Sequence, residues 1–219
     1  MNIVIFGPPG AGKGTQSDFI VKKFNLHQLS TGELLRNEIK NKSKLGEEIS
    51  SIINAGNLVS DKIAGDLIEK YVSDNTYKNR LIFDGYPRNL NQATNLNFLL
   101  NKYNQKIDIV LKLSVSLETI KKRIFERSSL EKRADDREEI ALKRYNTYEK
   151  NIKPIIDFYK ETNLLKVVNG EVSISKISEE ISGLIESIKG WPWVNIDEIF
   201  KKVSDSANPK LEIVIGKSN

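Results

Sequence analysis

Apolar positions along this chain fall in short, nearly unbroken runs separated by longer stretches with a helical repeat. Ile3-Val4-Ile5-Phe6, Arg80-Leu81-Ile82-Phe83, residues 107–113 and residues 164–168 read as strands, with Leu26-His27-Gln28-Leu29 as a weaker one. After the first run, Phe19, Ile20 and Phe24 share one side of a helical pattern. Strands alternating with helices predict an α/β fold, a parallel sheet covered on both faces. Ligands of such sheets bind beyond the carboxyl ends of the strands. Three polar segments fall there: residues 7–15, Ser30-Thr31-Gly32, and Asp84-Gly85-Tyr86-Pro87-Arg88.

Residues 30–60 carry only the helical period. Ser30 and Glu33 have the spacing of a capping box, which sets Arg36 on the first turns of the next helix. Leu45, Ile49, Ile52 and Ile53 make one apolar face, and Gly56 is the expected end of that helix. The product is a small helical insertion. A further helix starts at Ser116, and a polar loop is expected near residues 126–134. The last core helix reads from 173 to 189, with Ile174, Ile177, Ile181, Leu184, Ile185 and Ile188 inward. After Gly190 the composition changes to Trp191-Pro192-Trp193 and a polar tail, the tryptophans expected to pack on the core.

Composition narrows the options. Hydrophobic content of 39% and charged content of 29% are those of an ordinary globular protein. The absence of cysteine excludes disulfides and thiolate metal sites. No apolar run approaches the length of a bilayer span. Met1-Asn2-Ile3 runs straight into the first strand, so no leader is expected and a cytoplasmic location is. The net charge of +5 comes with scattered lysines and no aromatic stacking pattern, so neither nucleic acid nor membrane is an expected partner.

The chemistry begins at Gly7-Pro8-Pro9-Gly10-Ala11-Gly12-Lys13-Gly14-Thr15. A strand, a glycine-rich turn and a helix are what a phosphate-cradling loop requires, and Lys13 adds charge against the outer phosphates. The general pattern puts Ser or Thr directly after the lysine; here Gly14 intervenes and the hydroxyl comes at Thr15. Asp84 ends a buried strand where Mg²⁺ would be held, directly or through water, while Gly85 and Pro87 shape the turn that aims Arg88. Arg123 and Arg127 share a helix face at i, i+4, a repulsion of roughly 0.2–0.5 kcal/mol. With Arg36, Arg88, Arg133 and Arg144 they supply planar forks suited to phosphate oxygens, more than one nucleotide needs. The carboxamide of Gln92 can both donate to and accept from an adenine edge. His27, the only histidine, reads as structural.

These segments, in register over residues 1–189, resemble the adenylate kinase family, whose loop also places Gly-Thr after the lysine. Leu58-Val59-Ser60-Asp61 and Arg133-Ala134-Asp135-Asp136 belong to the same match. The resemblance implies a phosphate-loop fold of three layers. Its core is a five-stranded parallel sheet (residues 1–29, 60–121 and 135–189), with a mobile AMP-binding insertion at 30–59 and a short mobile lid at 122–134. It implies ATP on Gly10, Ala11, Gly12, Lys13, Gly14 and Thr15, with Arg123, Arg127 and the backbone from Gly170 to Val172 around its base. AMP would lie on Thr31, Arg36, Asn57, Leu58, Val59, Gly85, Tyr86, Pro87, Arg88 and Gln92. Arg133 and Arg144 would bridge the phosphates. Lys13, Arg88, Arg123, Arg127, Arg133 and Arg144 would be catalytic, Asp84 would hold Mg²⁺ through water, and no structural zinc is expected. Residues 190–219 have no counterpart in the pattern.

The implied reaction is reversible transfer of the terminal phosphoryl group of Mg-ATP to AMP, giving two ADP, by a monomer. UMP/CMP kinases of the same family resemble this chain but carry Ala where Thr31 stands. A regulatory GTPase would need a guanine-reading Asn-Lys-x-Asp segment, which the chain lacks. A nucleic-acid-binding ATPase is favoured only by the basic charge.

Overall fold

The computed structural model describes residues 1–131 and 138–188. Five strands form one all-parallel sheet in the order β2-β3-β1-β4-β5. They are β1 (Ile3–Phe6), β2 (His27–Ser30), β3 (Leu81–Asp84), β4 (Ile109–Ser114) and β5 (Leu165–Asn169). The helices are α1 (Lys13–Phe24), α2 (Thr31–Lys40), α3 (Lys44–Asn54), α4 (Asp61–Val72), α5 (Leu90–Lys102), α6 (Leu117–Glu131), α7 (Glu138–Glu161) and α8 (Ile174–Glu186). None of the described helices is long and apolar enough to cross a membrane.

Every residue of β1 and β3 is buried, which is why those runs carry no alternation. The edge strands behave differently. His27 and Gln28 of β2 are half-buried and Lys166 and Val167 of β5 are exposed, so their apolar signal is weaker. On one face Val4, Phe6, Leu81 and Phe83 pack with Ile68 of α4, Leu96 of α5 and Tyr159 of α7. On the other, α1 and α8 pack against each other and the sheet. At the amino end of the strands the fully buried Asn2 is satisfied on both sides. Its Nδ2 donates to Gln105 Oε1 and Lys106 O, and its Oδ1 accepts from Leu81 N. His27 stacks against Tyr71 and Tyr77 in a structural role, and burial together with Arg80 lowers its pKa.

The chain leaves β1 toward β2 and leaves β3 toward β4, in opposite directions along the sheet. A crevice opens at such a divergence. Pairing of Ile5 with Asp84 and of Ser30 with Asp84 brings three strand ends level. The segments that follow therefore converge at the crevice.

Several local expectations are corrected. Ser30 is the N-cap of α2 but its side chain makes no capping hydrogen bond, unlike Ser43 and Ser60 at the starts of α3 and α4. The loop expected at 126–134 is helical to Glu131, since no glycine or proline interrupts the pattern after Ser116. Ile174 is 63% exposed. It sits at the first residue of α8, before the turn on which Ile177, Ile181 and Ile185 become buried. Arg133, Ala134 and the tryptophans at 191 and 193 lie outside the described residues.

Gly56 ends α3 as expected, in the left-handed region at φ 70°. Asn57 N donates to Ile52 O and Gly56 N to Ile53 O, satisfying two terminal carbonyls. A second glycine of this insertion was not legible from sequence. A Cβ on Gly46 would stand 2.1 Å from Glu38 O, a backbone atom of α2. Only hydrogen lets α2 and α3 approach so closely. Gly46→Ala is expected to force the helices apart at a cost of about 1–3 kcal/mol. That is a fall of roughly 2–12 °C in Tm by calorimetry, and an unchanged Tm would contradict this packing.

Candidate active site

The loop after β1 turns on Gly10 and Gly12, at φ 84° and 92°, and Gly12 is the N-cap of α1. No side chain caps this helix and its first turn has no acidic residue. Its unpaired N–H groups and dipole therefore face the crevice as an anion seat. Lys13 Nζ donates to Gly7 O at 2.9 Å and Pro8 O at 3.2 Å, folding the side chain back along the loop. Removal of the ammonium from water lowers its pKa to about 8. Asp84 opposes that shift, and Arg88, Arg144 and Arg127 add to it.

A cleft of about 1030 Å³ lies over this loop. Lys13, Arg36, Arg88, Arg123, Arg127 and Arg144 all line it, six cations from α1, α2, the β3–α5 loop, α6 and α7. Like Lys13, two of the arginines donate to backbone carbonyls at or beyond the strand ends. Arg123 Nη1 donates to Ala11 O at 3.3 Å and Nη2 to Gly170 O at 2.9 Å. Arg88 Nε donates to Gly85 O at 2.7 Å. Gly85 stands at φ 78°, and a Cβ there would be 2.9 Å from both Arg88 Nη2 and Thr31 Oγ1. The glycine is what admits both side chains to the turn.

A recess of about 50 Å³ adjoins the cleft, sharing Arg36, Leu58, Arg88 and Arg144 and adding Thr31, Val59, Tyr86 and Gln92. Thr31 Oγ1 donates to Gly85 O at 2.9 Å. Gln92 is buried at 3% exposure, with Oε1 accepting from Arg88 N and Nε2 donating to Asp61 Oδ1.

The structure thus gathers residues from distant segments of the chain. Gly10, Ala11, Gly12, Gly14, Thr15, Gly85 and Pro87 line the cleft with the cations. Three expected residues within the described chain line neither the cleft nor the recess. Asn57 is exposed, Gly170 is buried behind the guanidinium of Arg123, and Val172 is 37% exposed.

Sequence reasoning missed three others. Gln28 Nε2 donates to Asp84 Oδ2 at 3.1 Å, steadying the carboxylate from the neighbouring strand. Ile174 presents apolar surface to the cleft. Asp61, quoted above without a role, holds Gln92. Pairing across strands or between helices decides Gln28 and Asp61, and the start of α8 decides Ile174; local pattern carries neither.

No cluster of three acidic or histidine side chains able to cage a metal occurs among the described residues. Mg²⁺ is commonly bound by one or two carboxylates with substrate phosphates and water completing the shell. Asp84, 9% exposed and lining the cleft beside Lys13 and Thr15, suits that mode.

Comparison with known proteins agrees with this geometry. The family model described as adenylate kinase matches residues 5–164. An adenylate kinase of Pelagibacter ubique is 41% identical over 212 residues, covering 85% of this chain and 100% of that protein. One of Leptospira biflexa is 39% identical over 179 residues, covering 82% and 96%. One of Porphyromonas gingivalis is 37% identical over 189 residues, covering 86% and 97%. The chain belongs to the adenylate kinase family.

Proposed function

We propose that the cleft transfers the terminal phosphoryl group of Mg-ATP to AMP, reversibly, with two ADP as products. The observation that carries this reading is the convergence of six cations on one cleft at the uncapped N-terminus of α1. A single nucleotide would need the loop and one or two of them. Two phosphorylated ligands brought end to end need charge on both sides of the group in transit.

In the forward direction a phosphate oxygen of AMP attacks the γ-phosphorus of ATP. The bond from that phosphorus to the β–γ bridging oxygen breaks, and ADP departs. Phosphoryl transfer asks for alignment and charge neutralisation more than for covalent help. The loop and Lys13 hold the donor phosphates, Arg123 and Arg127 flank them, and Arg36 and Arg88 hold the acceptor phosphate. Arg144, which lines both cleft and recess, spans the two; the same role expected for Arg133 falls outside the described residues. Mg²⁺ held through water at Asp84 would neutralise donor phosphate charge. Thr31, Leu58, Val59 and Gln92 receive the acceptor base, so the insertion of residues 30–59 and the segment 122–134 would close over their ligands to exclude water.

Initial rates with Mg-ATP and a panel of AMP, GMP, CMP and UMP test the assignment. AMP is expected to be preferred by a wide margin, and preference for CMP would overturn it. Arg88→Ala is expected to lose about 10²–10³ in turnover while melting within a few degrees of the parent. Near-normal turnover would remove Arg88 from the transfer step.

Lys13 gives a pH prediction. Its pKa falls from 10.5 to about 8 on folding. Between those values the unfolded chain binds more protons, so stability rises with pH across this window. A bound polyphosphate favours the ammonium, so binding takes up protons and weakens as pH climbs above 8. Titration calorimetry with ATP at pH 8, in buffers of different ionisation enthalpy, is expected to show uptake of about half a proton in the parent. Lys13→Met should show none; equal uptake in both would refute the linkage.

A further inference from the structure

We infer that Asp61 is a positioning residue that fixes the direction in which Gln92 reads the acceptor base; this rests on the reading of the recess as the AMP base site. Gln92 sits in the first turn of α5, on the wall between the recess and an outer groove separating α4 from α5. Asp61, the first residue of α4, lines the groove side. Gln92 Oε1 accepts from Arg88 N at 2.7 Å, and Nε2 donates to Asp61 Oδ1 at 2.8 Å. Asn89 braces the pair. Its Nδ2 donates to the same Asp61 oxygen at 2.8 Å, and its Oδ1 accepts from Gln92 N at 2.8 Å.

The two partners of the Gln92 carboxamide are chemically one-sided. An ionised carboxylate can only accept and a backbone N–H can only donate. Turning the amide over would set oxygen against carboxylate and NH₂ against N–H, in a buried setting where mismatched polar groups are costly. The amide therefore has one orientation, and one N–H and one lone pair remain for a ligand, in fixed order.

That order discriminates among purines. The adenine edge offers an acceptor at N1 and a donor at the 6-amino group, which match a free N–H and a free lone pair. A 6-oxopurine reverses both: N1–H donates and O6 accepts. It would be read only by the turned amide, which Asp61 and Arg88 N forbid. The recess would exclude IMP and GMP through a residue that never touches the base.

Asp61→Asn replaces the acceptor-only partner with one that can also donate, so the Gln92 amide can turn at lower cost. Initial rates are measured with AMP and with IMP under saturating Mg-ATP, and KM for ATP is measured alongside. The IMP-to-AMP ratio of kcat/KM is expected to rise about tenfold, with KM for AMP increased and KM for ATP within about twofold of the parent. A ratio unmoved while AMP is still turned over overturns the inference, since loss of helix stability alone would leave discrimination intact. Absence of AMP turnover in the parent overturns the proposed function itself.

The parent protein supplies an independent measurement should the variant not fold. Purine riboside 5′-monophosphate has no group at position 6 and forfeits one hydrogen bond. With the amide locked, IMP is expected to bind more weakly than this analogue in calorimetry. IMP binding as tightly or more tightly shows an amide free to turn and overturns the inference.

Discussion

The constraint on which this structure depends is the confinement of like charges at the carboxyl ends of a sheet. Lys13, Arg88 and Arg123 each donate to backbone carbonyls at strand ends or in the loops that follow, namely Gly7, Pro8, Gly85, Ala11 and Gly170. At an effective dielectric near 20, two unit charges about 8 Å apart repel by about 2 kcal/mol. Several such pairs in one cleft would destabilise a loose scaffold appreciably. Here the carbonyls sit just beyond the ends of β1, β3 and β5, two of which are wholly buried, and carboxylates such as Asp84 share the cleft with the cations. The pKa of Lys13 is lowered chiefly by desolvation, with Arg88, Arg144 and Arg127 adding to the shift and Asp84 opposing it. Bound polyphosphate relieves the repulsion, which makes the charge array a source of affinity as well as of alignment.

What the sequence made legible follows burial. β1 and β3 were readable because both faces are covered, leaving continuous apolar runs at Ile3-Val4-Ile5-Phe6 and Leu81-Ile82-Phe83. β2 was faint because His27 and Gln28 are only half-buried at the sheet edge. Local caps were less reliable. Ser30 has the right residue type and spacing for a capping box, yet at the end of β2, paired with Asp84, its side chain makes no capping bond. Ile174 matched the helical period and still faces the cleft, because periodicity ignores where a helix starts to touch the core.

The site was legible in its charged residues and not in what holds them. A glycine-rich loop and an arginine can be recognised one at a time. The bond from Gln28 to Asp84 joins residues 56 positions apart, and that from Gln92 to Asp61 joins residues 31 apart. Gly46 is required by the crossing of α2 and α3, a distance between helices that no local pattern encodes.

The two ends of an acceptor nucleotide would then be bound by different physics. Guanidinium groups grip a phosphate through charge and paired hydrogen bonds, an attraction that any nucleoside monophosphate shares. Such contacts cannot discriminate among bases, and adding more of them would tighten every ligand alike. Selection needs neutral groups whose donors and acceptors cannot exchange places. An amide alone lacks that property, since its oxygen and nitrogen ends differ little in shape. Between a carboxylate and a backbone N–H it acquires one orientation. Because Arg88 supplies both the N–H that fixes Gln92 and a guanidinium in the cleft, the turn of Asp84-Gly85-Tyr86-Pro87-Arg88 would couple phosphate binding to base selection through a single residue.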